Sequence, residues 1–259
     1  MEADPRFGGN TRDRLTDVFT GKHPPLKRKH IVVLTGAGIS AESGLKTFRD
    51  ADGLWNGYRI EEVASPEAWA RDPQLVLDFY NMRRREALQA QPNAAHLGLA
   101  RLEACHDVSI VTQNVDDLHE RAGSRRILHL HGQLVQMRST LDPGQVFDIR
   151  GDIRLGDLAP DGAQLRPHIV WFGEEVPLIG AAIDIVRKAD ILVIIGTSLQ
   201  VYPAAGLLNH FKGDGPLVVV DRSIPVLAER TRGAGQVVRI EKPATEGVAD
   251  LLSTLGCTA

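Results

Sequence analysis

The chain has very little cysteine, no long apolar run and no excess of one charge, and each shortage removes a class of protein. Its two cysteines, Cys105 and Cys257, are too few for a four-thiolate zinc site and too far apart in sequence to suggest a motif. Both are expected as reduced, structural thiols. The longest apolar stretch, near Ile191 to Ile195, is far too short to span a bilayer, and the N-terminal residues lack the apolar core of a signal peptide. A cytoplasmic protein with no membrane partner is therefore expected. Lys and Arg number 30 against 33 Asp and Glu, a net charge of −3, and the two signs are mixed along the chain. Nothing resembles the one-sided basic field used for nucleic acid, so none is expected as a partner.

What remains is the pattern of an α/β protein. At 259 residues the chain fits one large domain with a small insertion. Residues 1–29 are polar, hold Pro24-Pro25 and lack sustained apolar periodicity, which predicts a loose arm with one amphipathic turn around Leu15 to Phe19. Buried-strand candidates follow at Ile31 to Leu34, Val108 to Thr112, Ile127 to Leu130, His168 to Trp171, Ile191 to Ile195, Leu217 to Val220 and Val237 to Ile240. Helical patterns fall at Pro92 to Cys105, Asp116 to Ala122, Pro177 to Lys188, Ala204 to Phe211 and Ala244 to Leu255. Short apolar runs alternating with helices imply a Rossmann-like, doubly wound parallel sheet, whose ligand lies at the carboxyl ends of the strands.

Two stretches break the rhythm. Residues 132–165 are polar and rich in Gly and Pro, and residues 50–91 pass from a polar loop into a helix from Asp72 to about Gln91, with Leu75, Phe79 and Met82 on one face. These are expected to form one small domain, leaving residues 30–49, 92–131 and 166–259 for the nucleotide-binding large domain.

The polar residues that follow strands are the candidate site. After the first strand, Gly36 permits a tight turn, Gly38 lets the backbone approach a pyrophosphate, and Ala41 fills the third small position before a candidate helix whose N-terminus would face the anion. The second strand and early acid of a dehydrogenase are missing. Instead Thr47, Phe48, Arg49 and Asp50 follow in a polar loop, where Arg49 can pair with a phosphate. Gln113, Asn114 and Asp116 follow the second strand, where amides can grip ribose hydroxyls or water; Asp116, read alone, is better suited to capping the next helix. His131, beside Gly132, is placed as a general base, whereas His129 is open to a structural or a chemical role. Gly196, Thr197 and Ser198 follow another strand with N–H groups and hydroxyls, and Asp221 ends the LVVV strand.

Taken together, GAGISAESG with TFR, TQNVDDLHERAG, LHLHG, RPHIVWFGE and IIGTSLQVYPAA resemble, in order, the signature segments of the sirtuins, the NAD-dependent protein deacylases. The resemblance spans roughly residues 30–240 and implies a Rossmann-type large domain with a small domain made of a helical part and a zinc ribbon. It also implies that NAD is consumed: the substrate's acyl-lysine carbonyl oxygen attacks C1′ of the nicotinamide ribose, nicotinamide leaves, and the resulting alkylimidate ends as O-acyl-ADP-ribose and free lysine. By position, His131 matches the base that activates a ribose hydroxyl, and Asn114 would hold ribose or water. Ile39 and Asp116 would bind nicotinamide and Gln113 the ribose. Gly36, Ala37, Gly38, Arg49, Gly196, Thr197, Ser198 and Asp221 would hold phosphates and ribose. Val170, Phe172, Gly173 and Glu174 match the segment that pairs with the substrate backbone and sandwiches the acyl-lysine.

Two features refine the expectation. Tyr80 and Arg83 stand three apart on one helix face and resemble the Y-x-x-R pair of class III sirtuins, which remove succinyl, malonyl or glutaryl groups. Arg84 and Arg85 leave open which guanidinium points inward. Residues 132–165 contain none of the family's four cysteines, with Ser139 roughly where the first pair would begin, so no metal is expected and packing of Leu134, Val146, Phe147 and Ile149 must replace it. The expected protein is a monomeric deacetylase or desuccinylase acting on acyl-lysine proteins. The alternatives are an NAD hydrolase or ADP-ribosyl transferase using the same pocket, and a non-catalytic NAD-binding module.

Overall fold

The computed structural model describes residues 28–46, 55–225 and 236–257. Almost all of the expected N-terminal arm lies outside them. Six strands, β1 (His30–Thr35), β2 (Asp107–Thr112), β3 (Ile127–His129), β7 (Ile191–Ile195), β8 (Leu217–Asp221) and β9 (Val237–Glu241), form an all-parallel sheet in the order β3-β2-β1-β7-β8-β9. This is a Rossmann-like doubly wound sheet. The order reverses between β1 and β7, so a crevice opens where their carboxyl ends diverge.

Both faces of the sheet are covered, which is why its strands read as unbroken apolar runs rather than alternating ones. Ile31, Val33, Val193, Ile195, Val218 and Val220 pack with Leu99 of α4 (Ala94–Cys105) and Leu251 of α7 (Ala244–Thr254). Val32, Leu34, Leu192, Ile194 and Val219 face Ala182 of α6 (Ile179–Arg187) and Leu208 of a 3-10 helix, Ala204–His210. Each such aliphatic side chain, fully buried, contributes about 1.5–3 kcal/mol.

A Cβ on Gly98 would lie 2.2 Å from Val248 Cγ2, so glycine lets α4 and α7 approach closely. Their C-terminal ends meet as a result, and Cys105 and Cys257 are joined in a disulfide with Cα atoms 5.9 Å apart. This corrects the expectation of reduced thiols. Separation in sequence concealed a contact that only helix packing creates.

A second sheet is antiparallel, in the order β5-β4-β6, from β4 (Gly132–Ser139), β5 (Val146–Asp148) and β6 (Leu165–Ile169). The run His168 to Trp171 was expected in the main sheet; the strand there is β6, and it belongs to the small one. Its buried Leu165 and Ile169 serve small-domain clusters, and an apolar run does not reveal which sheet it joins. Against this sheet lie α1 (Ile60–Val63), α2 (Pro66–Arg71) and α3 (Pro73–Gln89). Asp72 caps α3 by accepting from Leu75 N at 3.0 Å, with Pro73 at the first helical position.

α3 is buried on two sides, and this separates its three consecutive arginines. Arg84 is the largest fully buried side chain among the described residues; its Nε donates to Leu134 O, and its Nη1 donates to Asn81 Oδ1 at 2.8 Å and Gly151 O at 3.2 Å. Burial pushes its pKa down to about 10, against the field of Asp152. Arg85 is exposed and pairs with Asp152 at 2.7 Å. Arg84 and Asn81, which exchanges two bonds with the Ile153 backbone, therefore anchor the small sheet's loops to α3.

The donor set for zinc does not fit. Among the described residues no group of three His, Cys, Asp or Glu is placed to hold a metal. Ser139 is buried at the end of β4, where its Oγ donates to Asp161 Oδ2 at 2.6 Å and accepts from Leu141 N and Asp142 N at 3.0 and 3.2 Å. Phe147 and Ile149 pack against Leu77, Ile153, Ala159 and Leu165, while Leu134 belongs to the neighbouring cluster with Phe79 and Trp171.

Two outcomes are expected. Arg84→Leu leaves buried acceptors without a donor and lowers stability by about 3 kcal/mol, whereas Arg85→Ala changes it by less than about 1 kcal/mol, as denaturant titration will measure. A strong chelator leaves the melting temperature unchanged; a fall of several degrees would reveal a structural metal.

Candidate active site

The crevice between β1 and β7 is built by backbone contact. Gly38 N donates to Gly196 O at 2.8 Å and Gly36 N to Ile195 O at 3.2 Å. A Cβ on Gly38 would stand 2.8 Å from Gly196 Cα, and one on Gly36 2.7 Å from Thr197 Cβ. Gly196 itself has φ +62°, a left-handed conformation that suits glycine. The segment after Gly36 is not the expected helix but two 3-10 turns, Ala37–Ile39 and Ala41–Ser43, closed by Gly44 at φ +87°. Among the described residues, the segment after β1 therefore presents no α-helix N-terminus to the crevice. The N–H groups of Gly36, Gly38 and Ile39 are bonded to protein carbonyls, while those of Ala37, Thr197 and Ser198 have no backbone partner among the described residues.

A cavity of about 480 Å³ starts at these turns and runs into the small domain. Gly36, Ala37 and Gly38 border it with Gly196, Thr197, Ser198 and Asp221. Gln113, Asn114, Asp116 and His131 line its middle, and Tyr80, Arg83, Val170, Phe172, Gly173 and Glu174 line the small-domain side. Ile39 departs from expectation, since its side chain is buried in the core under the sheet and does not line the cavity. Arg49 lies outside the described residues.

Hydrogen bonds fix the central groups. Gln113 Nε2 donates to Thr197 Oγ1 at 3.1 Å, linking the ends of β2 and β7. Asn114 Nδ2 donates to Ser40 Oγ at 3.1 Å, and Ser40 Oγ donates to Asp116 Oδ2 at 3.1 Å. Ser40 is the residue that sequence reasoning missed; its place inside GAGIS was the available signal. Asp116 Oδ1 accepts from Leu118 N at 3.2 Å, although the cap position of α5 (Leu118–Arg121) is Asp117, so Asp116 both steadies a turn and faces the cavity. Burial raises its pKa against the bonds from Leu118 and Ser40. Asp221 is likewise raised by burial.

His129 resolves to a structural role. Its Nδ1 bonds Asn114 O at 3.0 Å and its Nε2 pairs with Glu120 Oε1 at 2.7 Å. Burial pushes its pKa down, but the bond to Glu120 and that carboxylate's charge outweigh this and raise it. His131 behaves oppositely. Burial lowers its pKa, and its only opposing bond is from Nδ1 to Gln113 O at 3.1 Å. A carbonyl can only accept, so Nδ1 carries the proton and Nε2 keeps its lone pair. Gly132 is needed beside it for a different reason than room for the ring: at φ +80° a Cβ would lie 1.9 Å from His168 O.

Glu174 also departs from expectation. Its carboxylate accepts from Arg166 at 2.7 and 3.2 Å, from Arg138 at 3.4 Å and from Trp171 N at 2.8 Å, so it braces the loop after β6 rather than offering free oxygens. Burial pushes its pKa up, but these bonds and the two guanidinium charges hold it below the usual range. Arg83, by contrast with Arg84, reaches the cavity wall, 5.1 Å over the Trp55 ring and 3.5 Å from Glu86.

Asn114, Asp116, His131 and a glycine-built turn thus line one cavity at the reversal of a doubly wound sheet, the place where such sheets bind ligands. The Sir2 family profile matches residues 36–203. The chain belongs to the Sir2 family. Two relatives named NAD-dependent protein deacylase are 55% identical over 227 residues (Helicobacter pylori strain J99; 88% of this chain, 95% of that protein) and 51% identical over 233 residues (Bacteroides thetaiotaomicron; 88% and 98%). Among solved structures, a Sir2 homologue in complex with ADP-ribose superposes with a TM-score of 0.80 at 38% identity, covering 90% of this chain and 94% of that one. A Sir2 homologue in complex with NAD gives 0.77 at 37%, covering 96% and 95%.

The lowered pKa of His131 has a kinetic consequence in this Sir2 protein. The neutral, base-competent ring persists below the ordinary histidine value of about 6.5 and is lost only as pH falls through the lowered one. The acid limb of kcat/KM is therefore expected below pH 6.5; a limb centred at 7 or above would exclude His131 in this state.

Proposed function

We infer that the protein is an NAD-dependent protein-lysine deacylase whose acyl subsite accepts tails ending in a carboxylate. The observation that carries this reading is one continuous cavity with the glycine turns at one end, His131 in the middle, and Tyr80 with Arg83 at the other. NAD fits the donor set: Ala37, Thr197 and Ser198 present backbone N–H groups, and Asp221 offers an acceptor at the end of β8. Bound there, it supplies a ribose carbon whose nicotinamide can leave, and the acyl-lysine supplies the oxygen that replaces it.

The chain's own groups divide the remaining work. Ser40 holds the Asn114 amide and the Asp116 carboxylate in fixed positions at the cavity wall, where they orient ribose or water and the nicotinamide amide respectively. His131 Nε2 takes the ribose hydroxyl proton, while Nδ1 stays anchored on Gln113 O. The N–H groups of Val170 and Phe172 are bonded to His131 O and Ala64 O, so an added peptide strand pairs with the carbonyls of this segment. Apolar side chains such as Leu134, Ile169, Trp171 and Phe172 at the walls exclude water, which favours transfer to the acyl oxygen over hydrolysis.

At the far end, Arg83 provides charge, and the buried Tyr80 hydroxyl has no hydrogen-bond partner among the described residues. Burial raises the phenol's pKa, against the charge of Arg166 and the contact with Trp171, so it remains a donor. A donor pair of this kind fits a dicarboxylic acyl tail. Mixed surface charge and the absence, among the described residues, of any helix long and apolar enough to cross a membrane support a cytoplasmic enzyme acting on acyl-lysine proteins, with neither nucleic acid nor membrane as partner. We take it to be a monomer.

Kinetics with matched succinyl- and acetyl-lysine peptides test the acyl assignment. Arg83→Met is expected to lower kcat/KM on the succinyl peptide by about tenfold to a hundredfold, the range of a charge-assisted bond, and to leave the acetyl peptide within about threefold. Equal losses on both would remove the carboxylate subsite.

A further inference from the structure

The inner end of the cavity carries more donors than the Tyr80 and Arg83 pair. Trp171 borders the same cavity, is 2% exposed, and its indole Nε1 has no hydrogen-bond partner among the described residues. Tyr80, 1% exposed, leaves its hydroxyl in the same condition, with its ring centroid 6.4 Å from that of Trp171. The Tyr80 oxygen lies close enough to Trp171 for that contact to lower the phenol's pKa, yet the pair makes no well-formed hydrogen bond, and the phenol's own hydrogen is left without an acceptor. A fold that buries the Tyr80 hydroxyl and the Trp171 indole without a well-placed acceptor bears a desolvation penalty that a ligand acceptor would relieve.

Trp171 is also held too firmly for its N–H to find a partner by turning away. Arg166 Cζ stands 3.2 Å over its ring, Trp69 lies 5.6 Å away on centroids, and its backbone N donates to Glu174. Glu174 grips both Arg166 and Arg138, so a buried charge network from β4 and β6 fixes the ring. Beside the unbonded Tyr80 oxygen, a well-placed acceptor for the indole must therefore come from a ligand. An acetyl methyl has none to offer, whereas a terminal carboxylate has about four lone-pair sites and can take several donors at once.

We propose that the Trp171 indole N–H is a third donor, beside the Tyr80 hydroxyl and the Arg83 guanidinium, for the terminal carboxylate of the acyl tail, which makes Trp171 a specificity-determining residue. This rests on the carboxylate-tail reading above. Two donors would fix a carboxylate at its ends; a third, on a ring locked by Arg166, fixes its depth and separates tails that reach it from those that fall short.

Trp171→Phe keeps an aromatic ring under Arg166 and removes only the N–H and part of the ring. With the full chain and saturating NAD, kcat/KM on succinyl peptide is expected to fall about tenfold, mostly through KM, while acetyl peptide changes less than about threefold. In the Arg83→Met background the same substitution has little further effect on succinyl peptide, because both act on one carboxylate. Equal losses on the two peptides, or no loss on either, would overturn the proposal. Should the variant fail to fold, the wild-type indole resonances decide, with Trp171 assigned by elimination using Trp55→Phe and Trp69→Phe. The Trp171 N–H signal is expected to shift on adding succinyl-lysine peptide with NAD and not with the acetyl peptide, and an unmoved signal rejects the third donor. If Arg83→Met itself lowers both peptides equally, the carboxylate reading fails and the third donor falls with it; if only Trp171→Phe is unselective, that reading stands without it.

Discussion

Everything at the site depends on two turns meeting without side chains between them. Gly36 and Gly38 at the end of β1 touch Gly196 at the end of β7, closely enough that a Cβ on either side would require backbone to move. Because the strands are adjacent at the reversal of a doubly wound sheet, this contact sets the floor of the crevice and the spacing of everything above it. Gln113 reaches Thr197 across it, and that bond aligns the Gln113 carbonyl with His131. A local steric constraint thereby reaches the tautomer of His131.

Above the floor, buried polar groups are arranged as chains in which each member has a partner. Ser40 lies between Asn114 and Asp116, His129 joins Asn114 O to Glu120, and Glu174 joins two arginines of the small sheet to the Trp171 backbone. Such networks add less to net stability than to uniqueness, since a partly paired buried group is worse than none. The unpaired donors of Tyr80 and Trp171 stand out against this background.

Much of this could be read in the sequence. β-branched runs marked the parallel strands within one or two residues, and the polar residues following them did converge on one edge. What could not be read has physical causes. The run His168 to Trp171 looks like a main-sheet strand because it too buries apolar side chains, Ile169 and Trp171, although these serve the small domain. Arg83, Arg84 and Arg85 are identical in type, and only the burial of α3 on two sides sends one to the cavity, one to the Leu134 and Gly151 carbonyls and one to solvent. The Cys105–Cys257 link follows from the close approach of two helices at Gly98, a contact with no signature in spacing. The 3-10 turns after Gly36 replace a helix because Gly44 ends the segment in a left-handed conformation.

The central claim is that this crevice cleaves NAD in order to move an acyl group. Product stoichiometry tests it most directly: nicotinamide, free lysine and acylated ADP-ribose are followed together, with and without an acyl-lysine peptide. The structure predicts equal amounts of all three and negligible nicotinamide without the peptide. Nicotinamide formed at the same rate in its absence, with ADP-ribose carrying no acyl group, would contradict it.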